Sequence, residues 1–257
     1  MDVLIGTVVL RPYVFGFLLA FLLTGAADLG WRRTLLFGAW VGPVAWLAEF
    51  SSTRTGIPFG LYHYTGSTRG QELFVADVPL MDCLSFTFLA YASFCLARAT
   101  LRARRAPAPA VVGLSGALMM LLDVIIDPVA VRGDRWFLGR IFYYPEGGLY
   151  FGVPLSNFVG WMVVGIVGVA GYAAWSHWQD ARFGQTTSSG FDRYGTGVWP
   201  GIALYYAVLG FNLAITGWIG EWWLLGVGAA VHAAAAMVLW SLRQRPAARL
   251  GLENQRA

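Results

Sequence analysis

The chain has 257 residues, of which 57% are hydrophobic and 12% charged. A soluble domain carries about 25% charged residues, so this composition excludes an ordinary water-soluble globule and points to a membrane protein. The net charge of +4 comes from 18 basic residues, all of them Arg; without a Lys there is no retinal-type Schiff base, and the basic excess is read as topology signal rather than as affinity for nucleic acid.

Seven apolar runs reach spanning length, at 9–27, 34–52, 79–99, 108–127, 153–176, 198–217 and 220–241. The expected fold class is all-α: a polytopic membrane helix bundle of about seven transmembrane helices. It forms one integral-membrane domain over 1–257, with a short polar tail from 243. The start, Met-Asp-Val-Leu, has no positive stretch before its apolar run, so that run is read as a retained span rather than a signal peptide. Cys83 and Cys95 stand twelve apart in one run, more than three helical turns and too far for a disulfide. Runs six and seven nearly touch, which implies a tight hairpin.

Arg placement sets the expected orientation. With seven spans, Arg32, Arg33, Arg98, Arg102, Arg104, Arg105, Arg182, Arg193, Arg243, Arg245, Arg249 and Arg256 share one side; Arg11, Arg54, Arg69, Arg132, Arg135 and Arg140 share the other. The richer side is read as cytoplasmic, which puts the N-terminus outside and the C-terminus inside a bacterial cytoplasmic membrane.

The polar groups at membrane depth obey a parity that does not depend on this choice. Glu49, Asp123, Asp127 and Asn212 lie towards the ends of even runs; Asp82, Asn157 and Glu221 open odd ones. All therefore face one side, and only Asp28 falls on the other. The two long connections, 53–78 and 128–152, lie on that same side and read as interfacial lids with defined turns, dense in aromatics and glycines.

Asp123 and Asp127 are the sharpest signal. A carboxylate at membrane depth costs roughly 2.5–3.5 kcal/mol on insertion scales, and the i, i+4 spacing puts both on one helix face. Like charges that close in low dielectric share a proton, which offers a carboxylic acid to an oily substrate. The bland alternative is a hydrated helix end, because Pro128 stops the helix there. Glu49 carries function or pairs with Arg54. Asp82 carries function or complements a helix N-terminus. Asn157 holds a water or a carboxylate, or caps run five. Tyr62, His63 and Tyr64, with Trp136, Tyr143, Tyr144 and Trp161, line a substrate site or form an aromatic belt. Glu221, before Trp222 and Trp223, reads as interfacial anchoring. No metal-ligand spacing, phosphate loop, dinucleotide fingerprint or nucleophile elbow is present.

Glu49, Thr55-Gly-Ile-Pro-Phe-Gly-Leu-Tyr-His-Tyr64, Val78-Pro-Leu80, Asp123-x-x-x-Asp127-Pro, Trp136 and Gly152-Val-Pro-x-x-Asn157-x-x-Gly-Trp161 together resemble the carotenoid biosynthesis membrane family. The resemblance runs from about residue 48 to 161. It implies a carotenoid hydratase of the bisanhydrobacterioruberin-hydratase type, which adds water across the terminal C=C of an acyclic carotene end group to give a tertiary alcohol. The implied partners are a lipophilic carotenoid from the bilayer and membrane lipid, with room for association with other carotenoid biosynthesis enzymes. No organic cofactor and no metal is called for. Either Asp123 or Asp127 would protonate the alkene, aromatic faces would stabilise the cation, and Glu49 or Asn157 would orient water. Two other readings stay open: an end-group cyclase that uses the same protonation, and a non-catalytic membrane carrier or scaffold.

Overall fold

The computed structural model describes residues 2–182 and 198–244. Its helices are α1 (Val3–Leu10), α2 (Pro12–Leu29), α3 (Trp31–Thr55), α4 (Leu80–Leu101), α5 (Ala108–Ala130), α6 (Leu155–Arg182), α7 (Val198–Trp218) and α8 (Trp222–Arg243). The seven from α2 to α8 are long and apolar enough to cross a membrane, so the chain is an integral multi-pass protein with an all-α bundle fold. The expected polar tail beyond 244, with Arg245, Arg249 and Arg256, lies outside the described residues, as does Arg193.

α4 is the axis of the bundle. In its most apolar window 78% of residues are buried, against 17% for α2 and for α8, and it packs on α2, α3, α5, α6, α7 and α8. A helix surrounded by other helices has no lipid face to present, which explains why Phe86 to Ala97 are buried all round. Around it run the contacts α2–α3, α3–α6, α6–α5, α5–α7 and α7–α2.

Two boundaries differ from expectation. The first run is two helices, because Pro12 disfavours helical backbone at Arg11 while suiting the first position of α2. The eight-residue α1 is too short to span, and Thr7 Oγ1 ties it to the first loop by accepting from the Leu73 N–H at 3.0 Å. In α5 the helix passes through Pro128 and ends at Ala130; proline here removes one backbone donor near the end, and Val131 N–H still closes the turn on the Asp127 carbonyl at 2.9 Å. The tight hairpin is as expected, with three residues between α7 and α8 and a positive φ of 77° at Gly220.

The long connections form one structure. Strand β1 (His63–Tyr64) of the first pairs antiparallel with β4 (Phe142–Tyr143) of the second, in the register His63–Tyr143 and Tyr64–Phe142. β2 (Phe74–Val75) and β3 (Val78–Pro79) make a small hairpin ahead of α4. Glu221 accepts from Arg135 at 2.5 Å and lies 3.4 Å from Arg132, so it fastens the second loop to the α7–α8 turn; beside it Trp222 and Trp223 are exposed. At the opposite end of the bundle Asp28 pairs with Arg98, beside the Tyr91 hydroxyl.

A carboxylate-lined cavity as the candidate active site

Between the joined loops and the ends of α2 to α7 lies a cavity of about 930 Å³, open mouth included. Its floor and walls are mainly aromatic: Phe17, Phe59, Phe86, Phe88, Trp136, Phe142, Tyr144 and Trp161 all line it. Its polar groups form three sets.

The first is the Asp pair. Asp123 and Asp127 stand one turn apart on α5, as their spacing requires. Asn157, in the first turn of α6, donates from the same amide nitrogen to Asp123 Oδ2 at 2.6 Å and Asp127 Oδ2 at 2.8 Å. Trp161, one turn further along α6, donates its indole N–H to Asp127 Oδ2 at 3.3 Å. Asp127 lines the cavity; Asp123, 0% exposed, sits behind it and accepts from the Asp127 backbone N–H. Asn157 thus grips carboxylates, while its own backbone N–H bonds the Pro154 carbonyl.

The second set is Glu49 and Tyr64. Glu49 is buried near the end of α3 and accepts from the Tyr64 hydroxyl at 3.0 Å. The alternative pairing with Arg54 is not formed; Arg54 reaches Asp77 at 3.5 Å and stacks on the Phe50 ring. Burial, with the neighbouring Glu49 carboxylate, pushes the Tyr64 pKa well up, so the phenol remains a donor.

The third set was not legible in the sequence. Arg11, at the α1–α2 break, reaches Asp82 Oδ1 and Glu72 Oε1, each at 2.9 Å, and is 2% exposed. Asp82 is therefore one arm of a buried charge network rather than a simple helix-end acid. Burial opposes the Arg11 charge, but Asp82 and Glu72 outweigh it and its pKa rises. In the sequence Arg11 reads only as a loop charge; its place directly before Pro12, at the head of an apolar run, was the available signal.

The aromatic candidates divide by strand alternation. Tyr62, Tyr64, Trp136, Tyr144 and Trp161 line the cavity. His63 and Tyr143, paired across β1 and β4, point the other way: both are exposed and pack on each other with ring centroids 6.0 Å apart. Phe142, opposite Tyr64, lines the cavity in their place. Asn212 also lines it, donating to the Val208 carbonyl at 2.9 Å. Among the described residues no set of three or more His, Cys, Asp or Glu converges as metal ligands do.

Fold and cavity together define a class: a multi-pass membrane helix bundle with an apolar, carboxylate-lined pocket near one end of its spans. Within that class the chain belongs to the carotenoid biosynthesis protein family, whose profile matches residues 2–239. It is 32% identical over 119 residues to the bisanhydrobacterioruberin hydratase of Haloarcula japonica, a match that takes in 46% of this chain and 38% of that relative. The chain thus aligns with well under half of that relative's length. No solved structure matches the chain.

Proposed function

We propose that the chain is a carotenoid hydratase that adds water across the terminal C=C of an acyclic carotene end group. The observation that carries this reading is the Asp123–Asn157–Asp127 arrangement, two carboxyl groups held by one amide nitrogen with Asp127 on the wall of an apolar cavity. The family and the hydratase match support it.

The acid pair shares one proton and gives it to the less substituted carbon of the terminal trisubstituted alkene. The π electrons become the new C–H bond, and a tertiary carbocation remains. The faces of Trp136, Tyr144, Trp161 and Phe142 stabilise that cation. Asp82, paired with Arg11 at 2.9 Å, lines the same cavity and adds an ion-pair dipole to its wall. A water oriented by Glu49, itself fixed by Tyr64, forms the C–O bond, and the proton it sheds returns to the Asp pair. Atoms balance as one alkene plus one water, with no electrons transferred, so the step asks nothing of a redox cofactor. Asn157, its amide nitrogen engaged by both acids, is assigned to holding them rather than to the water.

On the Arg balance we place this end of the bundle at the outer face of a bacterial cytoplasmic membrane, with the N-terminus outside and the C-terminus cytoplasmic.

Expression in a host that makes lycopene tests the reading. Hydration adds the mass of one water per modified end group, whereas a cyclase product keeps the substrate mass. Unaltered pigment from wild-type protein refutes the hydratase, and normal product from both Asp123→Asn and Asp127→Asn refutes the assigned acid.

A further inference from the structure

The walls of the cavity are not equally closed. α5 and α6 approach through glycines, a Cβ at Gly165 standing only 3.0 Å from Gly116 Cα. α3 meets α6 where Gly168 receives Val41 and Gly171 receives Trp40. The α5–α7 seam is covered from outside by α8, whose Gly228 presses on Ile125. The joined loops cover the end with the buried side chains of Tyr62, Trp136, Ile141 and Tyr144.

The α2–α7 seam is built differently. It is bridged by rings: Tyr13 stacks on Phe211 at 5.3 Å between centroids, and Phe17 meets Phe211 edge-on at 5.7 Å. Phe137 of the second loop stands edge-on to Tyr13 at 5.4 Å and is 42% exposed. Tyr13, Phe17 and Phe211 line the cavity yet are only half-buried. Gly16 on α2 and Gly210 on α7 are exposed, and nothing lies within 4 Å of where a Cβ would stand.

We propose that this seam is the lateral entrance to the cavity and the groove that holds the polyene chain of the substrate, an inference that rests on the hydratase reading. A carotene is a long, stiff rod, whereas the cavity is closed on most sides and sits at one end of the spans, so it takes an end group and not the whole chain. The remaining chain, an apolar rod, has to leave through an apolar seam within the spanning segments. Rings that turn about χ1 and χ2 open such a seam while every helical hydrogen bond stays made. Their faces, with the space over Gly16 and Gly210, then flank a straight conjugated chain.

The test places bulk in that space. At Gly16 and Gly210 an added Cβ has nothing within 4 Å, so Gly16→Leu and Gly210→Phe start into open space; Gly226→Phe, on the exposed face of α8 and equally open at Cβ, is the control. Each variant is assayed in proteoliposomes on an acyclic carotene and on a short acyclic prenyl hydrocarbon with the same end group. The expected result is a fall of roughly tenfold or more in carotene kcat/KM for the seam variants, with the short substrate and the control within about twofold of wild type. Wild-type carotene rates in both seam variants overturn the groove, as does equal loss on both substrates, which means damage to the cavity itself. A readout independent of turnover separates the two readings. Maleimide labelling of Gly210→Cys is slowed by bound carotene if the groove is right and is unaffected if it is wrong. Protection without hydration by wild-type protein condemns the assigned reaction and leaves the groove standing.

Discussion

Arg11 donates to Asp82 at 2.9 Å across 71 residues of sequence, joining the break ahead of the first span to the first turn of the central helix. Its other arm holds Glu72, whose side chain is 0% exposed. Removing one partner of a buried ion pair leaves the others uncompensated, which costs about 3–5 kcal/mol. Arg11→Leu should lower unfolding stability in detergent by that order. Adding Glu72→Leu and Asp82→Leu should recover a large part of the loss, because the charges left behind are then gone. Additive losses in thermal or denaturant unfolding would show that the network is not coupled.

Asn157 serves both acids, so its loss should be felt twice. Asn157→Leu leaves two buried carboxyls without their amide donor, at a cost of about 1–3 kcal/mol per unmet partner. Asp127→Asn keeps the shape and removes the acid that faces the cavity, and hydration should fall by about 10²–10⁴. In D₂O, wild-type product should carry one non-exchangeable deuterium on the carbon next to the carbinol, read by mass spectrometry. A product without that deuterium excludes protonation by an exchangeable acid.

Glu49 and Tyr64 are assigned to the water, not to the proton. Glu49→Gln should leave protonation intact and divert the cation towards rearranged alkenes, visible as unhydrated isomers in the pigment profile. Tyr64→Phe removes the 3.0 Å bond that fixes Glu49 and should give a weaker version of the same diversion, with a loss of about tenfold in hydrated product. An unchanged product ratio in both variants removes the pair from the mechanism.

Tyr64 and Tyr144 are both held with pKa values above the ordinary 10.0, chiefly by burial and then by nearby carboxylates. The sign follows from linkage. Above pH about 10 the unfolded phenols ionise while the folded ones do not, so stability present below that pH is lost as pH rises through it. Melting temperature in detergent should fall more steeply above about pH 10 than just below it. In the Tyr64→Phe, Tyr144→Phe double variant the alkaline fall should be shallower; an identical fall would place its origin elsewhere.

Much of this protein was readable from its chain alone. Spanning length and the scarcity of charge determine seven crossings, because the bilayer leaves the backbone few alternatives. Parity along those crossings then puts Glu49, Asp82, Asp127 and Asn157 at one end, and the i, i+4 spacing aligns Asp123 with Asp127 without any knowledge of packing. What the chain could not disclose depends on contacts between distant segments. That Asn157 grips both acids, that Glu49 answers to Tyr64 rather than Arg54, and that Arg11 belongs to Asp82 and Glu72 are outcomes of which helix ends meet. The pairing of β1 with β4 likewise decides that Phe142 faces the cavity while His63 and Tyr143 face out. Periodicity is a local property and survives in the sequence; partnership among buried charges is set by three-dimensional proximity, and no spacing rule encodes it.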